Sequence, residues 1–191
     1  MLRESISRVR RNHGLEHATI HVLTEKYQQF SAQGNSDFRG FSLNVYGDIS
    51  EAQVTAAVQE ARERLRNGEH QLAVHPNCGT VLLTTAALAT LAVQLVFSVD
   101  EKRQKGSADR LVTLFNTGPM AVLMAAIAII VSRPLGMQIQ SHYTTDGRIG
   151  NLEVVRVSRV RPSLVTRLFH LLLAGGQSKY QPTAYRIETR G

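Results

Sequence analysis

Two stretches of this chain contain no charged residue: residues 79–99, GTVLLTTAALATLAVQLVFSV, and residues 111–132, LVTLFNTGPMAVLMAAIAIIVS. At about 1.5 Å of rise per residue, a helix of either length spans the roughly 30 Å hydrocarbon core of a bilayer. Charged residues border both stretches. Soluble cores rarely bury two such runs unbroken, so the pattern predicts a membrane hairpin rather than a pair of buried core helices.

The charge of the chain is distributed unevenly around this hairpin. The 191 residues have a formal net charge of +7, and a mean hydropathy of −0.12 that is typical of a soluble protein. Residues 1–78 hold nine basic and nine acidic groups, residues 100–110 hold four and three, and residues 133–191 hold nine and three. The excess positive charge therefore lies after the second apolar stretch, where it suits a membrane surface.

The composition also excludes several classes of protein. A single cysteine excludes an internal disulfide framework and argues against a CxxCH haem site. The chain has no tryptophan and no recognisable nucleic-acid motif, so nucleic acid is not an expected partner. The lipid bilayer is the expected partner, together with further copies of the chain.

The segments on either side of the hairpin show the patterns of a small α+β domain. Residues 3–29 predict a long helix, and Ser50 with Gln53 predicts a capping box for a second helix that ends near Asn67. Alternating apolar and polar residues predict strands at residues 39–49, 139–145 and 152–160.

We therefore predict an α+β membrane protein in three parts. The N-terminal soluble part covers residues 1–78, the transmembrane hairpin covers residues 79–132, and a basic part with strands and an amphipathic helix covers residues 133–191. The two outer parts are expected to form one small soluble domain from both ends of the chain. Two spans bring both ends to one side, which we expect to be the cytoplasm because the chain shows no export signal.

The amphipathic segment at residues 163–176, SLVTRLFHLLLAGG, has two interpretations. It could lie on an anionic leaflet with its basic side chains toward the headgroups. It could equally pack on the soluble domain or on another subunit. The tail after Gly176 is expected either to be loosely ordered or to bind a neighbouring subunit.

The predicted N-terminal helix carries the motif His13-Gly14-Leu15-Glu16-His17. His13 and His17 are four residues apart and share a helix face, so both imidazoles can reach one metal ion. The string HxxEH is the inverted zincin pattern, in which the glutamate is a general base toward the water that a metal activates. Gly14 weakens a helix interior, which predicts a close approach by another segment.

A second cluster, His75-Pro76-Asn77-Cys78, lies immediately before the first apolar stretch. Imidazole and thiolate together suit zinc, and the spacing is that of a metal-binding knuckle. The candidate metal ligands are therefore His13, His17, His75 and Cys78, with Glu16 as the candidate catalytic base. His21 is expected to support this site rather than to bind the metal, and His142 is placed in a predicted strand.

These two motifs, HGLEH at residues 13–17 and HPNCGT at residues 75–80, resemble those of the YqhQ family of bacterial membrane proteins. That family is described as one of predicted metal-dependent enzymes, with motifs that read approximately HGAEHK and HPRCGT. The resemblance covers residues 12 to about 85 and implies a metal site at His13, Glu16, His17, His75 and Cys78. The chain has Ala18 where the family has lysine and Asn77 where it has arginine.

Two functions fit these features. The first is an integral membrane protein with a His/Glu/Cys zinc site at the membrane boundary that acts as a zinc-dependent hydrolase, with three protein ligands and one open position. The second is a non-enzymatic oligomeric membrane scaffold in which the metal or the histidine cluster is structural. Small and hydroxyl side chains in the first apolar stretch would allow close packing between subunits: Thr84, Thr85, Ala86, Ala89 and Thr90.

Overall fold

The computed structural model describes residues 2–103, 110–164, 166–167 and 182–191. The helices and strands, in chain order, are α1 (Leu2–Lys26), β1 (Ser31–Asp37), β2 (Gly40–Tyr46), α2 (Glu51–Arg66), a 3₁₀ turn (His70–Ala73), α3 (Gly79–Arg103), α4 (Arg110–Ile139), a π-helical turn (Gln140–Thr144), β3 (Glu153–Val160) and β4 (Thr183–Arg190). The chain divides into two compact units. The first combines residues 1–74 with residues 141–191, and the second is residues 75–140.

The first unit contains an antiparallel four-stranded sheet in the order β1-β2-β4-β3, with α1 and α2 packed against it. Its core is formed by apolar side chains from both helices and from the central strands, including Leu15, Val54, Phe41 and Ile187, all with no exposed surface. The prediction of an α+β fold is confirmed. The unit is assembled from both ends of the chain, because β4 lies between β2 and β3.

Helix α2 begins as the sequence predicts. The Ser50 side chain accepts a hydrogen bond from the Gln53 amide, and the Gln53 side chain accepts one from the Ser50 amide. This reciprocal pair satisfies two amide groups that the first turn of a helix cannot bond internally. The predicted strands at residues 39–49 and 152–160 are also confirmed, as β2 and β3.

Two local predictions are wrong, and one of the strands has no predicted counterpart. Residues 139–145 do not form a strand, because α4 continues to Ile139 and the chain then makes a π-helical turn that includes His142. Strand β1 was not predicted. The tail was expected to be loose or to contact another subunit, but residues 183–190 form an inner strand of the sheet. The amphipathic segment is described only at residues 163–164 and 166–167, so its remainder lies outside the described residues.

Tyr185 of β4 attaches the sheet to the loop before α2. It is 2% exposed, and its hydroxyl donates a 2.5 Å hydrogen bond to the Ile49 carbonyl oxygen. Burial raises the pKa of Tyr185 above the usual value for tyrosine, and the nearby carboxylates of Glu51 and Asp48 act in the same direction against the opposing charge of Arg159. The neutral phenol is therefore the form that the folded state favours.

Tyr185→Phe is expected to lower the free energy of unfolding at neutral pH by about 1–2 kcal/mol, because the Ile49 carbonyl loses its donor. A folded-state pKa above the unfolded value gives stability that is present below about pH 10 and is lost as the pH rises through the folded pKa. The variant should therefore lose less stability than the wild type between neutral and strongly alkaline pH. Denaturant unfolding across this range measures both effects, and parallel curves would contradict the expectation.

The second unit contains α3 and α4, two long helices that pack along each other. The hydroxyls of Thr85 and Ser132 lie 2.7 Å apart. A Cβ on Gly136 would lie 2.9 Å from the Cα of Val81, so this glycine permits close helix contact. Thr85, which was expected to face another subunit, thus contributes to packing within the chain.

Both helices of this unit are long and apolar enough to cross a membrane. The candidate spans are Gly79–Glu101, with 23 residues, and Val112–Thr144, with 33 residues. Only 6% and 11% of their most apolar windows are buried inside the structure. The second span exceeds the predicted residues 111–132 because Pro119 and Pro134 are accommodated inside a continuous helix.

Candidate metal site

The two histidines of the HGLEH motif lie side by side on α1. Their ring centroids are 4.4 Å apart and the ring planes meet at 61°. His17 is 2% exposed, whereas His13 is partly exposed. The predicted i, i+4 spacing thus brings two imidazoles together at the border between the core and the surface.

Backbone carbonyl groups hold both rings in defined orientations. Nδ1 of His13 lies 2.9 Å from the Thr144 carbonyl oxygen, and Nδ1 of His17 lies 2.8 Å from that of Ala73. A carbonyl oxygen can only accept, so each Nδ1 carries the proton and each neutral ring has its lone pair on Nε2. Histidines that bind a metal through one ring nitrogen commonly donate a hydrogen bond from the other nitrogen in this way.

His21 differs from the other two histidines of α1. Its Nε2 lies 3.0 Å from the Val74 carbonyl oxygen, so this nitrogen donates the hydrogen bond. The ring attaches α1 to the segment that follows the 3₁₀ turn. That His21 supports the site without being a ligand stays a prediction.

Glu16 is buried, with 3% of its surface exposed. The Ser36 hydroxyl donates a 2.6 Å hydrogen bond to Oε2 of Glu16. A Cβ on Gly34 would collide with the same carboxylate, so β1 allows this close approach only because residue 34 is glycine. Strand β1 therefore holds the Glu16 carboxylate in place at Ser36 and Gly34.

Residues 142–146 are held against α1 next to the histidines. One nitrogen of the Arg10 guanidinium donates to the carbonyl oxygens of His142 and Thr145, at 2.8 Å and 3.0 Å. A Cβ on Gly14 would lie 2.5 Å from the Asp146 carbonyl oxygen, which confirms the close approach predicted at this glycine. These contacts place the Thr144 carbonyl at His13.

A buried polar network also anchors α1 to the sheet. The Asn12 side chain has no exposed surface. It donates to the Asp37 carbonyl oxygen at 2.8 Å and accepts from the Thr189 hydroxyl at 2.7 Å. Asn12, which directly precedes the histidine motif, thus links the hairpin of β1 and β2 to β4.

The carboxylate of Asp37, in the same region, forms an ion pair with Arg186 at 2.8 Å. Partial burial would raise the pKa of Asp37, but the hydrogen bonds from Arg186 and from the Arg39 amide hold it below the usual value. This carboxylate is therefore ionised at neutral pH and serves the sheet rather than the histidine pair.

His75 and Cys78 both belong to the second unit. The His75 backbone exchanges two hydrogen bonds with the Gln140 side chain, and its Nδ1 accepts a 3.3 Å hydrogen bond from the Asn77 amide. The neutral ring of His75 therefore carries its proton on Nε2. Cys78 is 7% exposed and immediately precedes α3. Cys78 is four positions after Val74 in the chain, which limits their Cα atoms to roughly 14 Å apart.

Within the described residues, one group has the composition to hold a metal ion: His13, His17 and Cys78. Each offers one ligand atom, an imidazole nitrogen or the thiol sulfur. The two histidines belong to the first unit and Cys78 belongs to the second. His75 is not a member of this group. The prediction of a His/Cys cluster is thus supported for three of the four candidate ligands, and nothing in the group identifies a particular metal.

Several groups at this site have no local signal in the sequence. Ser36 and Gly34 lie in a strand that lacks apolar alternation. The carbonyl acceptors at Ala73 and Thr144 are 56 and 131 residues from their histidines. Gly14 is the exception, because a glycine inside a helix predicts the close approach of another segment, here the Asp146 carbonyl.

The chain belongs to a family of unknown function. Residues 8–157 match the family described as "Domain of unknown function (DUF6391)". An uncharacterised protein of Picosynechococcus sp. (strain ATCC 27264 / PCC 7002 / PR-6) is 36% identical over 150 residues, which cover 72% of this chain and 65% of the relative. No solved structure matches the chain. Neither description mentions the YqhQ family, so that resemblance stays a prediction.

Proposed function

We propose that the chain is an integral membrane protein with a zinc site formed by His13, His17 and Cys78, and that it acts as a hydrolase with Glu16 as the base. The observation that carries this proposal is the paired orientation of His13 and His17. Each donates its Nδ1 proton to a backbone carbonyl, and each therefore presents Nε2 as a donor atom toward a metal.

The donor set fits zinc in number and in kind. Two imidazoles and a thiolate are ligands that zinc prefers, at about 2.1 Å and 2.3 Å, which places ligand atoms on a common ion about 3.4–3.8 Å apart. The two imidazole rings, which belong to one unit, already lie 4.4 Å apart between their centroids. Three protein ligands leave one position of a tetrahedron for water or substrate, as catalytic zinc sites do.

When bound, zinc would supply a Lewis acid that polarises a substrate and lowers the pKa of water to about 7. The chain's own contribution is to hold the donors and a carboxylate in place. Glu16 is adjacent to His17 on α1, and its carboxylate is oriented by Ser36. A buried carboxylate from the same helical turn as two zinc ligands is a candidate to accept a proton from water.

Glu16→Gln is expected to keep zinc and lose at least about 100-fold in turnover, because the amide cannot accept the proton. The measurement is hydrolysis of a panel of chromogenic carboxylic esters, phosphate esters and peptides, with zinc content determined on the same samples. Glu25→Gln is the matched control, since Glu25 is on the same helix but pairs with Arg64.

Equal turnover in wild type and Glu16→Gln would remove the base from this proposal. Wild-type protein that binds zinc and hydrolyses no member of the panel would favour the alternative function, a non-enzymatic oligomeric scaffold in which the metal is structural. In a structural site the zinc would not need a fourth coordination position that is open to water or substrate.

The proposed membrane location is supported by the length and the exposed apolar surface of α3 and α4. With two spans, both outer segments would lie on one side of the bilayer, which we take to be the cytoplasmic side. Self-association is proposed as well, since apolar faces of a two-helix hairpin can pack against further copies. The relative is longer than the part that aligns, so these proposals concern this chain alone.

A further inference from the structure

Strand β3 and the residues just after it carry a surface that is both apolar and basic. Three apolar side chains are exposed there, with exposed fractions of 58% for Val155, 39% for Val160 and 82% for Leu164. Four exposed arginines lie among them: Arg156, Arg159, Arg161 and Arg167. We call these seven side chains the basic edge, since β3 is an edge strand of the sheet.

Within the described parts of the chain, none of the four arginines of the basic edge forms a salt bridge with Asp or Glu, in contrast to Arg64 and Arg186. Two acidic residues do lie near them: Glu188 is opposite Arg156 in the sheet, and Glu51 accepts a hydrogen bond from the Arg159 amide. Residues 133–191 contain three acidic residues against nine basic ones. Positive side chains therefore outnumber negative ones in this part of the chain.

Protection of an open strand edge explains only part of this pattern. Charged side chains and bulges do discourage strand edges from pairing with other chains. However, β3 already has an irregularity between Val154 and Arg156, and the Arg159 amide donates to Oε2 of Glu51 at 2.9 Å. Exposed Val155, Val160 and Leu164 would oppose such protection, so another role must account for them.

The other edge of the same sheet has a different chemistry. Strand β1 reads SAQGNSD, with no basic residue and no large apolar residue. The combination of basic and exposed apolar side chains found along β3 is absent from β1 itself, although Phe38 and Arg39 are exposed in the turn that follows β1. This combination is typical of protein surfaces that lie at the interface of an anionic bilayer.

We propose that the basic edge binds anionic phospholipids at the surface of the membrane. The guanidinium groups of Arg156, Arg159, Arg161 and Arg167 pair with lipid phosphates. The side chains of Val155, Val160 and Leu164 enter the boundary between headgroups and acyl chains. The inference rests on the proposed membrane location and is independent of the metal site.

The absence of tryptophan from the chain allows a direct test. Val155→Trp places a single fluorophore on the basic edge, and Gln33→Trp places one at an exposed position of β1 as the matched control. The full chain is reconstituted in nanodiscs of phosphatidylcholine alone and in nanodiscs with one third phosphatidylglycerol. Tryptophan emission and quenching by brominated lipids are recorded at low and high ionic strength.

The emission of Val155→Trp should shift to shorter wavelength and be quenched in anionic nanodiscs, and high salt should reverse both changes. Gln33→Trp should show neither. Replacing the four arginines by glutamine should remove the response, with about a fivefold weaker binding equilibrium for each arginine replaced. Leu164→Trp gives a second reporter outside β3 if Val155→Trp disturbs the strand.

Three results would overturn this inference. One is an equal response of Val155→Trp and Leu164→Trp in neutral and anionic nanodiscs. Another is an equal response of Gln33→Trp. The third is a wavelength shift that follows the number of chains per nanodisc rather than the lipid charge, which would indicate a contact between copies. Failure of the chain to enter nanodiscs is a separate result that would instead contradict the proposed membrane location.

Discussion

Replacing His17 by alanine is expected to lower zinc affinity by more than about 100-fold and to leave purified protein almost free of zinc. Removal of supporting groups around a metal typically costs 10–100-fold in affinity, and loss of a direct ligand should exceed that range. His17 is the more buried of the two motif histidines and has its Nδ1 fixed by the Ala73 carbonyl. The measurement is elemental analysis after dialysis against a weak chelator.

His21→Ala is the matched control for this experiment. It removes an imidazole from the same helix and also removes a hydrogen bond to a backbone carbonyl, at Val74. Its zinc content should match the wild type within a few-fold. Far-ultraviolet circular dichroism of all variants separates loss of metal from loss of fold.

Cys78→Ser tests the third ligand, because a hydroxyl is a far weaker zinc ligand than a thiolate. Zinc retained by both His17→Ala and Cys78→Ser would overturn the shared site. Zinc lost from His75→Ala as well would indicate a four-ligand shell, which would make the site structural rather than catalytic.

Gly14→Val is expected to destabilise the protein by about 3 kcal/mol and to weaken zinc binding, since overpacking a close contact commonly costs 1–3 kcal/mol. The Cβ alone would lie 2.5 Å from the Asp146 carbonyl oxygen and 3.1 Å from the Cβ of Ala73. Two additional methyl groups must displace residues 142–146 from α1. The Thr144 carbonyl would then move away from His13.

The control for this variant is Gly118→Ala, which also replaces a helix-interior glycine. A Cβ on Gly118 meets no atom closer than 4.0 Å, so the substitution should be neutral or stabilising. Thermal unfolding in detergent measures the stability of both variants, and zinc titration measures the metal affinity. If Gly14→Val is as stable as the wild type, the segment near Asp146 does not pack closely against α1 in solution.

Local patterns accounted for much of the fold but not for the completion of the sheet. The capping box at Ser50 and the apolar runs of α3 and α4 depend on neighbouring residues, so they could be predicted. The residues of β4 do alternate, with Tyr185 and Ile187 buried and Arg186 less so. This alternation is typical of a strand, but the place of β4 between β2 and β3 depends on pairing with distant residues.

Predictions failed where a distant or preceding element determined the structure. Residues 139–145 alternate like a strand, but a long helix precedes them and its hydrogen bonding continues through Ile139. Strand β1 contains polar and small residues, so its conformation depends on pairing with β2 rather than on propensity.

The candidate site shows the same division. The spacing of His13 and His17 follows from the period of a helix, and the pairing of their rings was predicted from it. The orientation of each ring depends on carbonyl groups from distant segments, which no local pattern specifies. The role of Ser36 at Glu16 likewise depends on a strand that the sequence did not reveal.

The position of β4 inside the sheet also determines the order in which this protein can fold on the ribosome. Strand β2 must wait for residue 183 before it gains its second neighbour, an interval of roughly 7–28 s at 5–20 residues per second. Both apolar helices are synthesised during that interval. Membrane insertion would therefore begin while the sheet is half formed, and its last inner strand would close a unit already tethered to the bilayer.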